Sequence, residues 1–315
     1  MSCVRLCDDC PRGCHADRSA EGRGFCGMPD GIFISRAAPH AWEEPPISGT
    51  RGSGTVFFTG CNLRCVFCQN RVISHDRRGR RVSEDELCEI FLGLQNEGVH
   101  NINLVTPTHY TDALSRVLSS VKPRLHIPVV WNSGGYDSVE GLRRLDGLVD
   151  IYMPDFKYLS SELSASYSAA PDYAERATEA VIEMLRQVGG VAFDGEGMMT
   201  RGLLVRHLVL PGCRKDSMAV IRHLATILPL DKIRLSVMRQ YTPEFASDCP
   251  YPNLRRRLTD FEYESVLDTA DECGFIGYRQ GKEAAVSDYT PDFLSDMPGS
   301  PESGDPVAPN SAENS

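Results

Sequence analysis

At 315 residues, 41% hydrophobic and 24% charged, the chain is long enough to bury a full α/β core as one large domain with small appendages. No apolar run approaches the roughly 18 residues a membrane span needs, and the opening Met1-Ser-Cys-Val-Arg-Leu-Cys7 lacks the apolar heart of a secretory signal, so a cytoplasmic protein is expected. The net charge of −10 is concentrated: seven acids and no Lys or Arg follow Lys282, so the body has no basic bias of the kind a nucleic-acid partner requires, and neither nucleic acid nor membrane is expected as a partner.

Twelve cysteines in a chain without an export signal point to reduced thiols and metal ligation rather than disulfides. Residues 1–50 begin with Cys7, Cys10, Cys14 and Cys26, in a segment too poor in apolar residues to build a core. A metal is the usual staple for so small a unit, and these four thiols predict a metal site, either a second iron–sulfur cluster or zinc. Residues 31–53, with Pro39, Pro45 and Pro46, read as a connector.

From residue 51 the pattern becomes regular. Strand-like runs at 54–59, 101–106, 128–132, 150–157, 203–210 and 233–240 alternate with helical stretches, the βα repetition of a parallel sheet. Capping boxes are expected at Ser83 to Glu86 and Thr259 to Glu262. Apolar faces follow at Leu87, Ile90, Phe91 and Leu94, at Leu114, Val117, Leu118 and Val121, and at Val181, Ile182, Leu185 and Val188. Six βα units are too few for a closed eight-stranded barrel and predict an open partial (β/α)6 barrel over 51–282, a doubly wound sheet being the alternative. The glycine-rich stretch 189–202 reads as a flap over the site or as a surface loop. Residues 283–315 read as a disordered acidic tail.

The first of these strands runs Gly54-Thr-Val-Phe-Phe-Thr-Gly-Cys61-Asn-Leu-Arg-Cys65-Val-Phe-Cys68, so it empties into three cysteines spaced CxxxCxxC. A complete ferredoxin-type cluster or an all-cysteine zinc site takes four thiolates. Three on a cubane leave one iron open to a ligand. In parallel βα folds catalytic groups gather at the carboxyl ends of the strands, and polar residues recur there. Asn132 and Ser133 precede two glycines that permit close backbone approach. Asp155 and Lys157 share one side of their strand, a placement that is costly unless the charges are paired or bound to a ligand. Arg206 and His207 are neighbours facing opposite sides, so one enters the barrel and the other meets the helices. Gln240 offers both donors and acceptors for hydroxyls. Cys213 follows a strand end and has a modest claim to a redox role, while His109 reads as a loop histidine.

The CxxxCxxC element with Phe67 before its last cysteine resembles the signature of the radical S-adenosylmethionine (radical SAM) superfamily. Over residues 50–281 the chain is similar to the uncharacterised iron–sulfur proteins homologous to pyruvate formate-lyase activating enzyme. The resemblance implies a [4Fe-4S] cluster on Cys61, Cys65 and Cys68 whose open iron chelates S-adenosyl-L-methionine. It further implies contacts to that cofactor from Asn132, Ser133, Asp155, Lys157, Arg206 or His207, and Gln240. The implied reaction is reductive cleavage of S-adenosylmethionine to a 5′-deoxyadenosyl radical that abstracts a hydrogen atom. The implied partners are an electron donor such as flavodoxin or ferredoxin and, as hydrogen source, a glycyl residue of a glycyl radical enzyme. Two departures from the activating enzymes stand out: the Gly-Gly-Glu they carry after the second strand is replaced by Thr106-Pro-Thr108, and the extra cysteines precede the CxxxCxxC element rather than follow it. The alternatives are a radical SAM enzyme acting on another peptide or a small molecule, and a non-catalytic iron–sulfur or zinc protein.

Overall fold

The computed structural model describes residues 6–19, 24–281 and 293. Ten strands form it: β1 (Ile32–His40), β2 (Ser53–Phe58), β3 (Arg80–Val82), β4 (Ile102–Val105), β5 (Val129–Ser133), β6 (Ile151–Pro154), β7 (Ala192–Phe193), β8 (Met199–Leu208), β9 (Ile233–Met238) and β10 (Gly277–Arg279). Along the sheet the order is β10-β9-β8-β6-β5-β4-β2-β1-β3, with β7 hairpinned onto β8. Every pairing from β2 to β10 along this path is parallel, while β1 runs antiparallel to β2 and β3 antiparallel to β1. The six expected βα units are β2, β4, β5, β6, β8 and β9 with their following helices.

Alternation along each strand divides the side chains between two environments. On β2, Val56 and Phe58 belong with Leu104, Trp131 and Leu203 to the main core under the helices, while Phe57 faces the inner surface. Residues of β2, β4, β5, β8 and β9, with Asp155 and Lys157 just past the end of β6, line one cavity, which requires the sheet to curl into an open partial barrel. Toward the amino ends of the strands the inner surface is apolar, filled by Val130, Ile151, Met153, Met199 and Leu204 around Ile47. Among the described residues no helix is long and apolar enough to cross a membrane.

Several expectations need correction. The connector at 31–53 contains β1, a nine-residue strand that pairs with β2 over its carboxyl part and with β3 at its start, because Ile32, Ile34 and Ser35 can be buried against the first βα unit. The glycine-rich stretch is no flap over the site but a surface loop, exposed at 192–197. It is a hairpin closed by Asp194, whose carboxylate accepts from the Glu196 and Met198 amides, both at 2.9 Å, and it meets His100 and Gly49 near the amino ends of the strands, away from the cysteine loop. Ile182 is exposed, its helix turning Ala177, Ala180, Val181, Met184 and Val188 inward instead. Of the acidic tail only Phe293 lies within the described residues, and it is buried; the rest of the disorder expectation lies outside them.

Of the two expected capping boxes, one forms. Ser83 caps its helix, but Glu86 turns away to Arg80 at 2.5 Å. At Thr259 the exchange is reciprocal, and the Glu262 carboxylate also accepts from the Gly212 amide at 2.7 Å and from both terminal nitrogens of Arg256. The Arg256 hydrogen bonds hold the Glu262 carboxyl well below the usual carboxylate range. Its contribution to stability is therefore complete above about pH 5, where the unfolded carboxyl is also ionised, and fades as pH falls through the acid range. Glu262→Gln is expected to lower stability by about 1–2 kcal/mol at pH 7. The gap in melting temperature from the native protein should narrow toward pH 3; a gap that widened on acidification would contradict this account.

Candidate active site at the cysteine loop

The chain leaves β2 through Thr59 and turns at Gly60, where φ is +85° and an added Cβ would lie 2.4 Å from Met28. Glycine alone fits that turn. Beyond it Cys61, Cys65 and Cys68 all border the cavity, whose volume is about 210 Å³. Each thiol has a polar neighbour: the Leu63 amide donates to Cys61 Sγ at 3.3 Å, Ser168 Oγ stands 3.0 Å from Cys65 Sγ, and Ser74 Oγ 3.3 Å from Cys68 Sγ. Burial pushes the Cys61 thiol up to about 12 and the Cys68 thiol up to about 11, Cys65 adding to both, whereas Lys157 pulls both down. A fixed cation thus faces a set of thiols that must give up protons to bind metal. All three are free, and among the described residues no three His, Cys, Asp or Glu converge as tightly as a single ion requires. Three free thiols around one cavity, with a cation opposite, fit a cluster with an open position.

Across the cavity lies a buried charge network. Asp155 accepts from Lys157 Nζ at 2.5 Å through one oxygen and from Arg206 Nε at 3.0 Å through the other. Arg206 donates to Asn132 Oδ1 at 2.7 Å and reaches Glu43 at 3.4 Å and Glu44 at 3.8 Å. Glu43 also accepts from Asn103 at 2.9 Å and Asn132 at 3.4 Å. Burial would raise the Asp155 carboxyl, but Lys157 and Arg206 more than offset it and hold the group below its usual value. For Glu43 and Glu44 burial wins over Arg206, and both carboxyls are raised. Two bases facing three carboxyls in low dielectric leave one carboxyl in excess, which works with burial to raise the glutamates.

The cavity brings together Asn132, Ser133, Asp155, Lys157, Arg206 and Gln240 of the expected contacts. Within it, the Ser133 hydroxyl is donated to Asp137 at 2.6 Å, which also accepts from Thr108 and Trp131. Gln240 Oε1 accepts from Gln280 Nε2 at 3.1 Å. His207 must be corrected. Strand alternation sends Arg206 inward and His207 toward the helices, where its Nδ1 lies 2.7 Å from the Phe156 carbonyl, and it does not border the cavity. His109 is wholly buried, its Nε2 2.8 Å from the Thr59 carbonyl at the root of the cysteine loop. Cys213 lines a separate surface depression of about 670 Å³ with Asp216 and Glu262, sharing no residue with the cysteine loop, and burial raises its thiol to about 11. His40, Trp42 and Glu43, which sequence reasoning passed over, border the cavity from the connector. Thr106 stands where the Gly-Gly-Glu was missing, with φ of +60°, a costly conformation for a β-branched residue and one that turns a backbone unit at the cavity wall.

Among the described residues the four leader cysteines do not converge as tightly as a single ion requires. Cys10 lies within electrostatic reach of Cys7, Cys14 and Cys26, and burial followed by those thiols raises it to about 12. Arg18 Nη2 points at Cys26 Sγ at 3.5 Å, and Nη1 donates to the His109 carbonyl at 2.9 Å. Arg12 Nε donates to the Asn62 carbonyl at 2.8 Å, and Arg64 Nη2 to the Phe25 carbonyl, so leader and cysteine loop are reciprocally bound.

Removing Arg206 would leave Asp155 with Lys157 alone and strip the buried glutamates of their cation. Arg206→Met is expected to cost about 3–5 kcal/mol of stability, read as a lowered urea midpoint. Arg206→Lys should recover part of it, since charge returns without the planar fork; a methionine variant as stable as the native protein would remove the network from its structural role.

A family profile described as the Radical SAM superfamily matches residues 55–207. The uncharacterized protein MJ0674 of Methanocaldococcus jannaschii is 31% identical over 279 residues, covering 84% of this chain and 74% of that protein. Among solved structures, a radical SAM methyltransferase from Sphaerobacter thermophilus aligns with a TM-score of 0.49 at 15% identity, over 72% of this chain and 65% of that one. SuiB of Streptococcus suis bound to S-adenosylmethionine gives 0.48 at 14% identity, over 70% of this chain and 48% of that one. This chain therefore spans just under two thirds of the methyltransferase and about half of SuiB. The profile begins on β2, which delivers the cysteine loop, and ends on β8 beside Arg206, and on these grounds the chain belongs to the radical SAM superfamily.

Proposed function

We propose that this chain is an activating-enzyme-like oxidoreductase that takes a hydrogen atom from a peptide backbone, a glycyl Cα of a partner enzyme being the leading target. The carrying observation is that three free thiols and the Asp155–Lys157–Arg206–Asn132 network border one cavity. A reduced [4Fe-4S] cluster, when bound, supplies one electron to the sulfonium of S-adenosylmethionine, which yields methionine and a 5′-deoxyadenosyl radical. The chain's own residues hold and enclose. Cys61, Cys65 and Cys68 hold the cluster; Lys157, the cation facing those thiols, takes a carboxylate; Asn132 and Gln240 offer amide groups to amino and hydroxyl groups. Phe57, Leu63, Phe67 and Leu208 line the same cavity and keep water from a reactive centre. The electron comes from an external donor of the flavodoxin or ferredoxin class.

The test is anaerobic reconstitution with iron and sulfide, reduction, addition of S-adenosylmethionine and an assay for 5′-deoxyadenosine. The native chain should form the nucleoside, and a Cys61→Ala, Cys65→Ala, Cys68→Ala triple variant should form none. Nucleoside from the triple variant, or none from the native chain, would defeat the reading. Incubation with a glycyl radical enzyme should then produce a glycyl radical signal in electron paramagnetic resonance; its absence would move the target to another peptide or a small molecule.

We also propose that Cys7, Cys10, Cys14 and Cys26 hold a second iron–sulfur cluster, with zinc as the alternative. The electrostatic reach of Cys10 to Cys7, Cys14 and Cys26 and the Arg18 cation beside Cys26 support this reading. Cys10→Ser with Cys26→Ser should lower the iron content per chain while leaving the loop thiols intact, or lower zinc if that is the metal. Unchanged iron and zinc would overturn it.

A further inference from the structure

Phe293 follows Gly281 by about a dozen residues and is 5% exposed. Its ring meets Phe57 edge-on, with centroids 5.1 Å apart and planes at 75°. The apolar group it joins consists of Phe57, Ile73 and Val105, with Val72 packed alongside. Phe57 and Val105 border the cavity that holds Cys61, Cys65 and Cys68. Val72 and Ile73 sit on the short helix Arg71–Ser74, which begins three residues after Cys68. The cleft thus has the inner face of β2 and β4 as its floor and the turn after the cysteine loop as its wall. His40 stands at its edge, its ring 6.0 Å from that of Phe57.

This cleft continues the apolar part of the cavity lining, which includes Leu63 and Phe67 of the cysteine loop, and Phe57 and Val105 bring it to the cavity that the thiols border. The occupant belongs to a stretch, Asp288-Tyr-Thr-Pro-Asp292-Phe293-Leu-Ser-Asp296, that carries three acids and no base. A polypeptide side chain therefore already packs on Phe57 at the cavity's border. We propose that the cleft formed by Phe57, Val72, Ile73 and Val105 is the docking site for an aromatic side chain of an acidic peptide substrate, and that Phe293 holds the place in cis. This deepens the peptide-substrate reading above and rests on it. A tethered occupant acts at an effective concentration in the millimolar range, so an external peptide binds the native chain more weakly than its intrinsic affinity for the cleft.

The test uses the full-length chain and a fluorescein-labelled peptide of residues 286–299, followed by anisotropy. Phe293→Ala should bind the peptide at least about tenfold more tightly than the native chain, because the cis competitor is gone. A peptide with alanine at the Phe293 position should not bind, and Phe293→Leu, which keeps an apolar occupant, should fall between. Equal binding to the native chain and Phe293→Ala, or equal binding of the two peptides, would overturn the proposal. So would unfolding of Phe293→Ala together with unaltered peptide binding by Phe293→Leu, since Phe293 would then be a structural plug. The readout is binding, independent of 5′-deoxyadenosine formation: a chain that binds the peptide but never cleaves S-adenosylmethionine defeats the cofactor reading alone, and the converse defeats only the docking site.

Discussion

The guanidinium of Arg206 is the interaction on which the inner architecture depends. A charge buried inside a curled sheet is tolerated only where opposite charges and hydrogen-bond acceptors converge on it. Here Asp155 arrives from β6, Asn132 from β5, and Glu43 and Glu44 from the connector after β1. To satisfy one side chain of β8, two neighbouring strands and a segment more than 160 residues earlier must occupy fixed places. The same contacts set Asp155 against Lys157, and so aim an ammonium group at the cysteine loop.

The barrel interior divides along its axis. At the amino ends of the strands, Val130, Ile151, Met153 and Leu204 pack into a dry plug around Ile47. At the carboxyl ends the inward positions turn polar, and the departing loops supply the cysteines, Thr106 and Gln240. Cohesion is supplied at one end and chemistry at the other, as expected where loops rather than strands carry function. At the polar end Thr106 is left-handed, and at Gly135 an added Cβ would lie 1.9 Å from the Asp155 carbonyl.

What was legible in the sequence was what is local. Apolar alternation located all six principal strands, and CxxxCxxC marked the loop because its spacing is itself the chemical requirement. The rest was written across long separations. Glu43 and Glu44 lie beside two prolines and read as solvated connector; their burial is intelligible only once Arg206 is known to face them. Alternation showed that Arg206 and His207 face opposite ways but not which one faces inward, a choice made by Asp155 on the neighbouring strand. The hairpin at β7 carried glycines that suit a flap equally well, and Phe293 sits in a composition that argues against order.

Phe25 is held between two guanidinium groups, that of Arg12 at 3.6 Å from its ring centroid and that of Arg64 at 4.9 Å, while Arg12 also donates to Asn62 beside Cys61. This clasp ties the leader to the cysteine loop, although dozens of residues separate them along the chain. The separation between the two sets of thiols is thereby set by contacts within the fold and not by the length of chain between them.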